Sequence, residues 1–195
     1  MRAVITGGPS VGKTTIISQL SQRGFKVVEE FATQIIKEGQ VLPWVDRIGF
    51  QEEVLKRQLA AEAELQDYEG PVFLDRGSID GEAYYIYDRL EIPAVFRTID
   101  PSVYSIAFLI EELPFFDRND VRWENIEFTR ALTKVLELCY RRRNIDVVRV
   151  PAMDPIERTN FVVAEFEKHC LKIAKDSVEG KRAKLVPQLY RAFAV

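Results

Sequence analysis

The chain has only one histidine and two cysteines in 195 residues, and these scarcities exclude several chemistries. A single imidazole, His169, supports no zinc-type cluster and no Ser/His/Asp or Cys/His arrangement. It reads as a solvated surface residue. Cys139 and Cys170 lie far apart at no metal-ligand spacing, so they read as free reduced thiols. No apolar run approaches the roughly 20 residues that cross a bilayer. Positive charge is not in excess either: the formal net charge is -3, so no global field draws nucleic acid or an anionic membrane. Residues 1–5 run straight into a strand-like pattern without the apolar stretch of a signal peptide, and a cytoplasmic location is expected.

What remains is ordinary globular material, 47% hydrophobic and 29% charged, without internal repeat or low-complexity segment. The length suits one domain spanning 1–195. Short apolar runs alternate with helical periodicities. Strands are predicted at 3–6, 25–28, 72–74, 103–110 and 145–150, and helices at 13–23, 31–38, 46–68, 79–90, 125–142 and 154–170. Asp154 is a candidate N-cap with Pro155 at the first helical position. Strands alternating with helices imply an α/β fold whose five-stranded, mostly parallel sheet is covered on both faces. Such a sheet gathers its chemistry at the carboxyl ends of the strands.

The strongest local signal lies directly after the first strand. Gly7-Gly8-Pro9-Ser10-Val11-Gly12-Lys13-Thr14 matches G-x-x-x-x-G-K-[ST] between a strand and a helix, the context a P-loop requires. Average residue frequencies give a chance match of about one in a hundred for a chain of this length. Glycines let the backbone curl so that successive N–H groups face phosphate oxygens, and the following helix adds its positive dipole end. Lys13 would reach the β and γ phosphates. The Thr14 hydroxyl would ligate Mg2+, with Thr15 beside it. The cofactor expected is Mg2+ with ATP, or with GTP, although no Asn/Thr-Lys-x-Asp guanine-reading motif is present.

Acids and arginines follow the other strands. Asp75, after Val72-Phe73-Leu74, suits a second magnesium-supporting group; a turn former is the structural alternative. Arg76 would clamp a phosphate or form a structural ion pair. Glu29 and Glu30 end the second strand, and Glu30, one step further out, is the better base for an attacking hydroxyl. Between the fourth and fifth strands, residues 111–124 are polar yet aromatic and suit a lid that carries Arg118 and Arg122. An exposed loop with surface ion pairs is the plainer reading of that stretch. Gln51, Tyr84 and Tyr85 are acceptor-contact candidates or core residues. Arg141-Arg142-Arg143 complements a helix C-terminus, with a phosphate- or lipid-binding role as the alternative. Residues 175–195 form a C-terminal extension.

These segments carry a resemblance. Gly-Gly-Pro-Ser-Val-Gly-Lys-Thr-Thr, then Val27-Val28-Glu29-Glu30-Phe31-Ala32-Thr33, then Leu74-Asp75-Arg76-Gly77-Ser78-Ile79-Asp80 resembles the NadR-like/AAA_28 group of P-loop NTPases. More distantly the chain is similar to ribosylnicotinamide and deoxynucleoside kinases. Phe50-Gln51, the stretch 117–122, Val150-Pro151 and Glu157-Arg158 also fit. The resemblance implies a kinase-type three-layer fold with a lid, Glu30 as base and Asp75-Arg76 as the acid–arginine pair. The chain departs from the deoxynucleoside kinases, which carry Glu-Arg-Ser where it has Asp75-Arg76-Gly77.

Two functions follow as expectations. One is an ATP–Mg2+-dependent small-molecule kinase acting on an acceptor hydroxyl. The other is a slow ATPase or GTPase switch that binds a protein or lipid partner. The expected partners are nucleotide and a small acceptor, with a homodimer left open.

Overall fold

The computed structural model describes residues 1–113 and 126–178. Five parallel strands, β1 (Arg2–Thr6), β2 (Lys26–Val28), β3 (Val72–Asp75), β4 (Ile106–Ile110) and β5 (Asp146–Val150), form one sheet in the order β2-β3-β1-β4-β5. The central strands β1, β3 and β4 are apolar along nearly their whole length because both their faces are covered. The edge strands β2 and β5 expose charged residues.

Period-two alternation sorts the strand residues onto two cores. Val4, Leu74, Ala107 and Leu109 face α3 (Arg47–Glu64), α4 (Asp80–Tyr87) and α5 (Ile126–Arg141), contacting Leu132, Leu136 and Cys139 among others. Ala3, Ile5, Phe73, Phe108 and Ile110 face α1 (Lys13–Gln22) and α6 (Pro155–Val178), which contribute Ile16, Leu20, Val162 and Phe166. The short α2 (Phe31–Glu38) leans on α3 and buries Ile35 completely. The result is the three-layer α/β arrangement expected from the sequence.

Several boundaries differ from expectation for local reasons. The β4 prediction began at 103, but Asp100 accepts the Ser102 N–H at 2.9 Å and winds Pro101–Val103 into a 3-10 turn, so the strand starts at Ile106. Predicted to reach 68, α3 stops at Glu64, where Gln66 and Tyr68 turn back onto Ala63 and Leu65. After α4 the left-handed Arg89 (φ 56°) ends the helical run that was expected to reach 90. Predicted to stop near 170, α6 continues to Val178, because good helix formers fill residues 171–176 and no glycine intervenes before Gly180. Its start is as expected: Asp154 accepts the Ile156 N–H at 2.8 Å, and Pro155 opens the helix.

The β1 turn therefore lies at the centre of one rim, with the carboxyl ends of β3 and β4 on either side. Most of the predicted lid, with Arg118 and Arg122, lies outside the described residues, as do positions 179–195 of the C-terminal extension. No helix among the described residues is long and apolar enough to cross a membrane.

Candidate nucleotide-binding site

The turn after β1 takes its shape from backbone angles that few residues tolerate. Gly12 sits at φ 94° and Ser10 at φ 60°. Gly8 is required for a different reason: a Cβ there would come within 2.5 Å of Thr129 Cγ2, so α5 packs against bare backbone. The Gly8 N–H donates to Thr133 Oγ1 at 3.1 Å, and the Thr133 hydroxyl donates to the Thr129 carbonyl at 2.7 Å. The N–H groups of Ser10, Val11 and Gly12 have no acceptor among the described residues. Lys13 begins α1, no side chain caps that helix, and its first turn holds no acid. Donors without an acceptor among the described residues thus lie beside a positive helix end, which suits an anion.

Lys13 lies under this loop, only 6% exposed, and its Nζ donates to the Gly8 carbonyl at 2.7 Å. Burial lowers its pKa to about 8, assisted by the positive charge of Arg76 and opposed by Asp75. Thr14 and Thr15 are exposed on the first turn of α1. Asp75, the last residue of β3, is 2% exposed, and its Oδ1 has no hydrogen-bond partner among the described residues. Burial pushes its carboxyl up to about 6 against the pull of Lys13. An orphaned buried carboxylate oxygen beside the phosphate loop, with an exposed hydroxyl on the helix, fits a hard cation that takes few protein ligands and shares phosphate oxygens. Thr14 and Asp75 would hold Mg2+.

Arg76 stands at φ 71° directly after Asp75, and its guanidinium reaches three acceptors through Nε and Nη1. Nε donates to Glu30 Oε1 at 2.7 Å, and Nη1 donates to the Gly7 carbonyl and to Asp80 Oδ1, each at 3.3 Å. The Tyr84 ring lies 5.7 Å from its Cζ. Burial alone would raise the Glu30 carboxyl, but Arg76 and Lys13 overrule it and hold it down to about 2. Thr33 also donates to Glu30 at 3.0 Å. Of the two glutamates ending β2, Glu30 is the one drawn to Arg76, whereas Glu29 is exposed.

Sequence reasoning overlooked the anchor of this cluster. Asp80 receives Thr6 Oγ1 at 2.5 Å, the Gly77 N–H at 3.1 Å, Arg76 and the Tyr140 hydroxyl. The Arg76–Asp80 spacing of i,i+4 was legible; the convergence of Thr6 and Tyr140 was not. A second buried network lies behind it. The Tyr104 hydroxyl donates to Glu62 at 2.6 Å, and Glu62 also accepts the Ser78 N–H at 3.0 Å and Gln58 Nε2 at 2.9 Å.

Other candidates separate clearly. Gln51 is buried on α3, Tyr84 lies against Arg76, and Tyr85 is core, edge-on to Phe96 with ring centroids 5.7 Å apart. Arg142 and Arg143 pair with the buried Glu82, and Arg141 pairs with Glu137, which favours the structural reading of that basic run. His169 departs from expectation: its side chain is 12% exposed, beside Asp146 at 3.7 Å, because α6 packs along β5. Cys139 and Cys170 are free and buried.

Comparisons with solved structures agree with this architecture. Deoxyadenosine kinase from M. mycoides superposes with a TM-score of 0.60 at 14% identity, over 86% of this chain and all of that one. Shikimate kinase from Aquifex aeolicus vf5 gives 0.52 at 18% identity, over 88% and 99% of the two chains. A NadR protein in complex with NR gives 0.64 at 16% identity, and this chain, matched over 86% of its length, spans about half of that one, 50%. At such identities the likeness speaks for the fold. No curated protein sequence matches. The model of the AAA domain family matches residues 2–158, most of the chain, and on that extent the protein belongs to the AAA domain family of P-loop NTPases.

Proposed function

We propose that the protein is an ATP–Mg2+-dependent kinase that transfers a γ-phosphoryl group to a hydroxyl of a small molecule. The observation that carries this reading is Glu30, an ionised carboxylate aimed at Arg76 on the rim that also holds the phosphate loop. A switch that only binds nucleotide needs the loop alone, whereas a carboxylate across from it is placed to meet an attacking hydroxyl.

In this reading the loop amides and Lys13 bind the β and γ phosphates, and Lys13 neutralises charge as it moves to the leaving oxygen. Thr14 and Asp75 would hold Mg2+, whose positive charge would offset that of the phosphates. Glu30 accepts a hydrogen bond from the acceptor hydroxyl and orients its oxygen in line with the γ-phosphorus. The new O–P bond forms while the bond to the β–γ bridging oxygen breaks, ADP departs, and the hydroxyl proton passes to Glu30. A carboxyl held near 2 is a weak base, so proton transfer comes late, after the hydroxyl oxygen has acquired most of its bond to phosphorus. Arg76 carries the charge balance between Glu30 and the transferring group. Arg118 and Arg122 are proposed to close over the phosphates from the lid.

The neighbours suggest where to look for the acceptor: deoxynucleosides, nicotinamide riboside and shikimate. ADP formation with Mg2+ and ATP, measured against a panel of these and related alcohols, tests the proposal. Acceleration by one acceptor, with phosphate found on its hydroxyl, is the expected outcome. Hydrolysis that no acceptor accelerates would favour the switch.

A further inference from the structure

Arg158, on the first turns of α6, is a buried cation whose partners are all main-chain oxygens. It is 2% exposed. Nη1 donates to the Val11 carbonyl at 2.7 Å, Nη2 to the Glu111 carbonyl at 2.7 Å and Nε to the Pro151 carbonyl at 3.0 Å. It makes no ion pair among the described residues. Burying a guanidinium with no carboxylate in contact is costly, and the carbonyl dipoles and the more distant charge of Glu111 offset that cost only in part. No neutral side chain carries three such N–H donors, so an arginine suits this strut between three loops, and its placement admits a second role.

The position of the first contact supplies one. A planar trans peptide directs its C=O and the following N–H in opposite directions. With the Val11 carbonyl held from behind by Arg158, the Gly12 N–H is turned the other way. It is one of the three loop amides that have no acceptor among the described residues. The guanidinium also packs close, since a Cβ on Gly12 would stand 3.5 Å from Nη1. We propose that Arg158 is a positioning residue of the phosphate site: it orients the Gly12 amide toward a bound anion and sets a buried positive charge behind it. The inference rests on the reading of Gly7 to Thr14 as a phosphate-binding loop. It adds a residue from the far end of the fold whose contribution grows with the charge of the ligand.

The test compares the full chain with Arg158→Gln and Arg158→Lys by titration calorimetry, using inorganic tripolyphosphate, ATP and AMP, each with Mg2+. The 15N shift of the Gly12 amide is followed in parallel. Arg158→Gln is expected to weaken tripolyphosphate and ATP by about tenfold or more, and AMP by less than about threefold, the scale of one charge-assisted contact. Arg158→Lys keeps the charge but not the three-way fork, so it recovers part of the loss, and its Gly12 shift on ligand addition stays below that of the wild type. Equal binding by Arg158→Gln and wild type overturns the proposal, as does an equal loss for all three ligands. Should Arg158→Gln fail to fold, Arg158→Lys decides by the same ratio of tripolyphosphate to AMP affinity. A wild-type chain that binds none of the three overturns the phosphate-loop reading itself, and this inference with it.

Discussion

Two halves of one rim are built on opposite principles. The loop after β1 presents donors without partners among the described residues: three consecutive amides and the uncapped end of α1. A few ångströms away, the cluster of Arg76, Glu30 and Asp80 is crowded with partners, and its guanidinium is shared between two carboxylates and a carbonyl. The difference teaches which half can take a ligand as it stands. Unsatisfied main-chain donors receive an anion without first losing a contact, so the loop is preorganised. In the cluster both carboxylates and the Nε and Nη1 of Arg76 are already engaged, so a ligand there exchanges one contact for another at all of these groups, Nη2 alone having no acceptor among the described residues. Glu30, the most accessible member at 23% side-chain exposure, is the one placed to make that exchange.

Substitutions that split the two halves sharpen the contrast. The largest effect is expected for Glu30→Gln, which should lower phosphoryl transfer by about 10²–10⁴-fold. It should leave the nucleotide-induced rise in melting temperature nearly intact. A matching loss of nucleotide stabilisation would merge the halves and end the comparison. Lys13→Ala strikes the other side: the nucleotide-dependent thermal shift should vanish and turnover fall by about 10²–10³-fold while the ligand-free fold survives. An unchanged shift would count against the loop.

Asp75 gives a smaller, pH-dependent effect at the boundary. Its carboxyl is raised by burial from an ordinary 3.8 to about 6, so the folded protein binds this proton more tightly than the unfolded chain does. The stabilisation this provides is complete below pH about 4, and it is lost as pH rises through about 6, on the order of 2–3 kcal/mol. Magnesium requires the ionised form and has the opposite dependence. The extra thermal shift from adding Mg2+ to nucleotide should therefore shrink as pH falls through 6, and Asp75→Asn should remove both trends in melting curves recorded from pH 4 to 8. A magnesium increment that persists in Asp75→Asn would free Asp75 from the metal. Least of all, Tyr104→Phe removes a donor from the buried Glu62 and should cost about 1–3 kcal/mol in urea unfolding without altering nucleotide affinity. An altered affinity would extend the functional rim to that second network.

The loop was legible because its chemistry is local. Positive-φ backbone, a lysine and a hydroxyl must occur within eight consecutive residues, and Gly7 to Thr14 show that spacing directly. Glu30, Asp75 and Arg76 were legible for a related reason, since each follows a short apolar run whose carboxyl end a parallel sheet brings to one rim. Asp80 and Arg158 were not legible as partners. Asp80 gathers donors from positions 6, 76, 77 and 140, and Arg158 reaches back 147 residues to Val11. No local pattern marks a contact at such separation. His169 failed in the same way: its neighbours suggest solvent, and only the packing of α6 along β5 covers it.

By itself, then, the sequence determined the strand–helix alternation, the phosphate loop and the acids that end the strands, because each depends on backbone angles and periodicities confined to a few residues. The strand order, the capture of Arg76 between Glu30 and Asp80, and the seat of Arg158 behind Val11 were decided only by the tertiary structure. Those features arise where elements distant along the chain must satisfy one another's buried charges and hydrogen bonds, a condition that exists only once the layers are packed.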